Sequence, residues 1–373
     1  MRGGKRKGSG RNALLPCEKK QGRTIYLTDE QREAVMQVAE GGTFSEKCNF
    51  IIDHFRVHLY DSDEVQRPQR TVHRNEDFSS RIIEGDCIEK MQNFGNEYFD
   101  LVIADPPYWK VIGEKWDYKW RTEEDYVTWC TKWFAEVYRV LRVGGSFYLF
   151  GYFRTLALLV PVLQQMGFEL RQQLIINKGM KSVAGRATKN YKMFPNVTES
   201  VLFFVKDNKQ FAKRLLLKQQ AKSGLKSKEI NEALGVKSNG GGMWSIYTGK
   251  NICEQFPTKD LWERLQQVLK FKFPYEGIAQ TFNAEMGVTD VWDDVDFYQE
   301  ERYHPTQKPL KLIDRLVKAS SNEGDRVLDP FGGCGSTFIS CENHNRICTV
   351  IEIDKRYIEK LRQRLSLQHP TLF

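Results

Sequence analysis

Two apolar stretches of this 373-residue chain each run straight into an aspartate followed by proline, and that repeated pattern constrains the fold more than any other feature. Phe99-Asp100-Leu101-Val102-Ile103-Ala104 leads into Asp105-Pro106-Pro107-Tyr108. Arg326-Val327-Leu328 leads into Asp329-Pro330-Phe331-Gly332-Gly333-Cys334-Gly335. Short, nearly continuous apolar runs read as strands buried on both faces, the mark of a parallel sheet covered by helices. A stiff polar loop at a strand's carboxyl end lies where open α/β sheets bind ligands. The expected fold class is α/β, with a doubly wound, mostly parallel sheet.

Composition divides the chain into a basic tail over 1–22, a small helical module over 23–60, a polar linker over 61–75 and a body over 76–373. The body holds an insertion over 206–300, too long for a connecting loop and so expected to carry structure of its own. The formal charge is +8, and the tail concentrates Arg2, Lys5, Arg6, Lys7, Arg11, Lys19 and Lys20 against Glu18 alone. Such a tail is expected to be disordered and to attract phosphates by counterion release. No run approaches the roughly 18 apolar residues of a membrane helix, and the start is basic and glycine-rich instead of an apolar signal core. No membrane partner and a cytoplasmic location are expected. Eight scattered cysteines form no CxxC pair, so neither a zinc site nor a disulfide framework is expected.

In the small module, Arg23-Thr24-Ile25-Tyr26-Leu27 alternates like a strand, and Thr28 with Gln31 starts a helix as a capping box. After Gly41-Gly42, Ser45 can cap a second helix with Cys48, Ile51, Ile52, Phe55 and Leu59 on one face. Strand, helix, glycine turn and helix resemble the ribbon-helix-helix family. That resemblance implies a homodimer through this module, with Thr24 and Tyr26 facing base edges. A helical hairpin packed on the main domain is the alternative.

The Asp105–Tyr108 loop suits chemistry at an exocyclic amino group of a nucleobase. The lone pair of that nitrogen is delocalised into the ring, so both amino hydrogens must be held to return electron density to it. Asp105 can accept one. The carbonyl of Pro106 can accept the other, because Pro106 and Pro107 lack N–H groups and stiffen the loop. Tyr108 offers a ring against which an extruded base can stack. In the second loop, glycines let a ligand approach the backbone closely, and the strand Cys348-Thr349-Val350-Ile351-Glu352 ends in an acid about 20 residues on, where such folds hold ribose hydroxyls. A nicotinamide loop would read GxGxxG, but position 338 is Phe.

Asp105-Pro106-Pro107-Tyr108 resembles the catalytic DPPY motif of amino-group DNA methyltransferases. Asp329 to Gly335, with Phe331, Gly333 and Gly335, resembles the DPFxGxG cofactor loop of the same enzymes. His304-Pro305-Thr306-Gln307-Lys308-Pro309 resembles their HPTQKP segment. The resemblance spans roughly residues 78–368, and the catalytic motif precedes the cofactor loop, the permuted order of the beta group. It implies S-adenosylmethionine as cofactor, with Asp86 at its adenine, Thr306 and Lys308 at its methionine end, and Asp329 and Glu352 beside it. It also implies double-stranded DNA as partner and in-line methyl transfer without metal or covalent intermediate. A C5-cytosine enzyme would need a catalytic Pro-Cys pair, and the one present, Pro16-Cys17, lies in the tail.

Serine at the first motif position is commoner in this family for N4-cytosine enzymes, so Asp105 points to adenine N6. N4-cytosine transfer and a DNA-binding repressor with an inactive methyltransferase body are the alternatives; an RNA or small-molecule methyltransferase leaves the reader-like modules unexplained. Within the insertion, a helix pattern ending at Gly235, the run Gly240 to Ser245 and a helix started by Pro257 resemble a helix-turn-helix reader. Lys228 and Trp244 there, and Lys181 and Arg186 in the run 178–190, are expected DNA contacts.

Overall fold

The computed structural model describes residues 81–109, 119–183, 194–235, 242–249, 253–303 and 306–368. The chain falls into two units, 1–68 and 69–373. The tail, the ribbon-helix-helix-like module with Thr24 and Tyr26, its proposed dimer contact, and the linker lie outside the described residues, as does Arg186.

The second unit alternates strands and helices: β1 (Ile82–Glu84), α1 (Cys87–Met91), β2 (Phe99–Ala104), α2 (Glu123–Val140), β3 (Leu141–Gly151), α3 (Phe153–Met166), β4 (Phe168–Asn177) and β5 (Thr198–Lys206). Four helices follow: α4 (Lys209–Ser223), α5 (Ser227–Ala233), α6 (Gly242–Tyr247) and α7 (Lys259–Leu269). The chain returns with β6 (Val291–Trp292), α8 (Leu310–Ser320), β7 (Arg326–Asp329), α9 (Ser336–Asn343), β8 (Ile347–Glu352) and α10 (Lys355–Gln368). The strands form one sheet in the order β1-β8-β7-β2-β3-β5-β4-β6. Every neighbouring pair is parallel except β3–β5 and β4–β5, so β5 alone runs against the rest.

Strand periodicity builds the two cores. Along β2, Leu101 and Ile103 enter a cluster with Leu312, Leu316, Phe338 and Leu361 of α8, α9 and α10. Val102 and Ala104 enter the opposite cluster with Met91, Trp133, Phe134, Leu156 and Leu159 of α1, α2 and α3. Successive side chains point to opposite faces, so helices must cover both. The expected doubly wound α/β architecture is present. Among the described residues, no helix is long and apolar enough to cross a membrane.

One strand hides from its own sequence. Leu141-Arg142-Val143-Gly144-Gly145-Ser146 opens β3, yet Phe99 of β2 pairs with Leu141 while Leu101 pairs with Ser146. The intervening residues bulge, and Gly144 takes φ +71 with its α-carbon pressed against the Ile278 carbonyl, where a β-carbon would not fit. Arg142 reaches from this bulge to Asp100, Nε to Oδ1 at 3.0 Å, while the backbone N–H of Arg326 donates to the other oxygen at 2.9 Å. That aspartate thereby binds β2, β3 and β7 together.

Three expectations for the insertion change. Val291–Trp292, inside the span 206–300, pair with β4 and belong to the main sheet. The helix expected to start at Pro257 starts at Lys259, because the Thr258 hydroxyl caps it by accepting from Leu261 N at 3.4 Å. Trp244, expected on a DNA-facing surface, is 1% exposed and packs in the interior of the insertion, because an indole on a six-residue helix beside α4 and α5 gains more from burial than from solvent. The basic residues Arg214, Lys218, Lys222, Lys226 and Lys228 remain exposed.

Candidate active site

β2 and β7 are neighbours, so the two Asp-Pro loops leave the sheet side by side at its carboxyl edge. They open onto a cavity of about 500 Å³. Asp105, Pro106, Pro107 and Tyr108 line it on one side. Asp329, Phe331, Gly333 and Gly335 line it on the other, with Asp86 from the β1–α1 turn, Glu352 from the end of β8, and Thr306 and Lys308 from the segment before α8. The fold thus gathers every catalytic and cofactor residue expected from sequence into one cavity.

The glycine loop is shaped by two left-handed residues, Gly333 at φ +50 and Gly335 at φ +83. A β-carbon at Gly335 would collide with Leu361 of α10, whereas one at Gly333 would meet nothing nearer than the Phe331 carbonyl at 4.0 Å. Gly335 therefore serves packing, and Gly333 leaves the backbone open toward the cavity. Glu352 fixes the loop: its oxygens accept from Gly333 N at 2.7 Å and Asp354 N at 2.8 Å. Asp86 caps α1 by accepting from Ile88 N and Glu89 N. Asp329 accepts from Phe331 N at 3.0 Å, and burial pushes its carboxyl up to about 7 against that bond and the Thr337 hydroxyl.

At the other end, Asp105 belongs to a charged cluster. Its Oδ1 accepts from the Tyr108 hydroxyl at 2.7 Å, and its Oδ2 takes the Lys308 ammonium at 2.7 Å. Lys308 Nζ also lies 2.9 Å from Glu199 Oε1, and the single Tyr108 proton is shared between that oxygen, at 2.9 Å, and Asp105 Oδ1. Lys178 Nζ holds the other Glu199 oxygen at 3.4 Å. Asp105 keeps 24% of its side chain exposed, while Glu199 and Lys308 keep 7% each. Burial and the Glu199 charge push the Asp105 carboxyl up, against the pull of Lys308 and Tyr108. Burial also acts on Glu199, but Lys308, Lys178 and the Tyr108 hydroxyl outweigh it and hold the carboxyl at about 2. Burial and both carboxylates keep Tyr108 a neutral phenol.

Two details differ from the sequence reading. The Tyr108 ring is 8% exposed, set edge-on against Tyr152 at 5.6 Å, so it supports the cluster as well as lining the cavity. The Lys308 ammonium, expected at the methionine end of a cofactor, is held by Asp105 and Glu199, and its backbone carbonyl accepts from Ser336 Oγ at 2.8 Å. Sequence reasoning does not single out Glu199, and it places Lys178 only at the start of the basic run 178–190. Their signal was Glu199 itself: an acid inside the strand Thr198–Lys206, facing apolar neighbours, is buried only when paired. Lys181 is exposed just past β4, near the turn where Lys178 N donates to Val197 O at 2.8 Å.

The N6/N4 methyltransferase family model, described as DNA methylase, matches residues 99–363. The chain is 24% identical over 312 residues to the type II methyltransferase M.HinfI of Haemophilus influenzae, covering 78% of this chain and 69% of that protein. It is 26% identical over 292 residues to the DNA adenine methyltransferase YhdJ of Escherichia coli (strain K12), covering 77% and 82%. The crystal structure of an M1.HpyAVI–SAM complex aligns with a TM-score of 0.46 at 19% identity, covering 76% of this chain and 98% of that one. The family match runs from β2 through the Asp105 loop, the insertion and the glycine loop into α10, well over half of the chain, and the protein belongs to the N6/N4 DNA methylase family.

Proposed function

We propose that this chain transfers a methyl group from S-adenosylmethionine to the N6 amino group of adenine in double-stranded DNA, at a specific site. The observation that carries the reading is the meeting of the Asp105–Tyr108 loop, the glycine loop and Glu352 around one cavity. About 500 Å³ lies within the range of small-molecule sites, roughly 300–1,000 Å³. The open backbone at Gly333 is a cradle that a side chain would fill. Glu352 would hold the ribose hydroxyls, Asp86 the adenine, and the segment with Thr306 and Lys308 the methionine end.

When bound, S-adenosylmethionine supplies a methyl group on a positively charged sulfur. Asp105 and the Pro106 carbonyl accept hydrogen bonds from the two hydrogens of the target amino group, which returns electron density to the nitrogen. The same carboxylate is placed to take the proton that the nitrogen must release once it carries the methyl group. Burial serves this step, because a carboxyl pushed up is a better proton acceptor. Tyr108 and Lys308 fix both Asp105 oxygens in place before substrate arrives. The base must leave the duplex to reach this depth.

Asp105, at a position where serine is commoner for cytosine in this family, supports adenine, as does the similarity to YhdJ, which is named an adenine methyltransferase. The exposed Lys181 and Lys228 would meet DNA phosphates. The test is incubation of purified protein with labelled S-adenosylmethionine and mixed-sequence duplex DNA, then nucleoside analysis. Labelled N6-methyladenine is expected. Label in N4-methylcytosine would keep the mechanism and move the target, and a protein that binds cofactor yet labels neither would defeat the reading.

A further inference from the structure

Behind the Asp105 loop lies a group that touches no substrate in the mechanism above. Glu199 is 7% exposed and stands between two ammonium groups, Lys308 at 2.9 Å and Lys178 at 3.4 Å. Lys178 is itself half enclosed between the rings of Tyr152 and Phe297, at 5.9 and 5.8 Å. Asp105 and Glu199 against Lys308 and Lys178 make a cluster of two negative and two positive charges, with Tyr108 a neutral phenol bridging both acids. Burying an acid between two lysines carries a desolvation cost that packing alone would not require. The balance matters because this end of the cavity, on the reading above, receives a cation, and the product left after transfer is a neutral thioether.

We propose that Glu199 is a positioning residue that sets the charge of the methyl-transfer end of the cavity, cancelling one of the two lysines so that a positively charged methyl donor is admitted beside Asp105. Without its charge, Lys308 and Lys178 face Asp105 alone and the cluster carries a net positive charge that repels a sulfonium. The neutral product feels no such repulsion. Glu199 thereby governs the preference for donor over spent product, without touching either. The inference rests on the cofactor reading under Proposed function.

The test is calorimetric titration of the full chain with S-adenosylmethionine and, separately, S-adenosylhomocysteine. Glu199→Gln keeps the shape and the bonds from Tyr108 and Lys308 but removes the charge. It should weaken the charged donor about tenfold relative to the neutral product, the order expected of one unit charge in a part-buried site. Lys178→Met should shift the ratio the opposite way, and the double variant should return it toward wild type. An equal loss for both ligands in Glu199→Gln would make the residue merely structural and overturn the proposal. Should that variant fail to fold, Lys178→Met decides alone, and an unchanged ratio in it overturns the proposal. Wild-type protein that binds neither ligand would defeat the cofactor reading and this inference with it; wild-type binding of both with a flat ratio across variants defeats this inference only.

Discussion

β2 carries an aspartate near each end, and the two do opposite work. Asp100, near the start of the strand, is 2% exposed, pairs with an Arg142 that is 3% exposed, and takes a backbone N–H from β7. Arg142 spends its other donors on the carbonyls of Val143 and Ala279 and on the Thr281 hydroxyl. Asp105, one residue past the other end, also meets a buried cation, but keeps a quarter of its side chain open to a cavity. Saturated and closed, the first charge can only hold strands together. Partly open and sharing its lysine with a second acid, the other retains capacity for a further donor. The chemistry of the residue is the same; the strand end it occupies decides its role.

The largest effect should come from breaking the open end. Asp105→Ala should lower methyl transfer by about 10³-fold, as loss of a hydrogen-bonding group at a reacting centre does, while leaving affinity for the neutral product S-adenosylhomocysteine near wild type. Transfer at a near wild-type rate would remove its role. At the closed end the pattern should invert. Asp100→Ala strands a buried guanidinium at a cost of about 3–5 kcal/mol, which lowers Tm by on the order of 10 °C. Protein that remains folded should keep its cofactor affinity; an unchanged Tm would show that Asp100 does not tie the strands.

Asp329, at the carboxyl end of neighbouring β7, sharpens the contrast through pH. Its carboxyl is pushed up to about 7 by burial, so between roughly pH 4 and 7 the folded chain holds a proton that the unfolded chain has released. Stability contributed by this group is present at low pH and lost as pH rises across that window, by roughly a few kcal/mol. Asp329→Asn should flatten the fall of Tm between pH 4 and 7, and equal slopes in variant and wild type would contradict it. The smallest effect concerns a charge that is neither buried nor paired closely: Lys228, 87% exposed and 3.8 Å from Glu232. Lys228→Ala should weaken DNA binding uniformly across sequences, by less than about tenfold, and reduce the salt slope by about 1. Unchanged binding at every salt concentration would place the basic face of the insertion away from DNA.

The parts legible in the sequence were those with a local cause. β2 is legible to the residue because a short, mostly apolar run that ends at Asp105-Pro106-Pro107 is too brief for a helix, and all six of its positions are buried. The glycine loop was legible because its turn needs positive φ at Gly333 and Gly335. Helix α8 was legible from Leu312, Ile313, Leu316 and Val317 on one face. β3 was not, since its opening Arg142, Gly144 and Gly145 look like a loop until β2 and Ile278 are beside them. Trp244 is hidden for a related reason: an aromatic among glycines and lysines looks like a contact surface, and only the packing of α4, α5 and α6 shows it inside.

The α/β class, the two loops at strand ends and the residue types able to handle an amino group follow from neighbouring residues, because strand periodicity, proline stiffness and glycine conformation are local properties. That Lys308, more than 200 positions beyond Asp105, is shared with Glu199 and balanced by Lys178 emerges only from the packing of the folded chain. Charge pairing acts across space and not along the chain, and β5, running against its neighbours, is what carries Glu199 to the carboxyl edge where the other three charges meet.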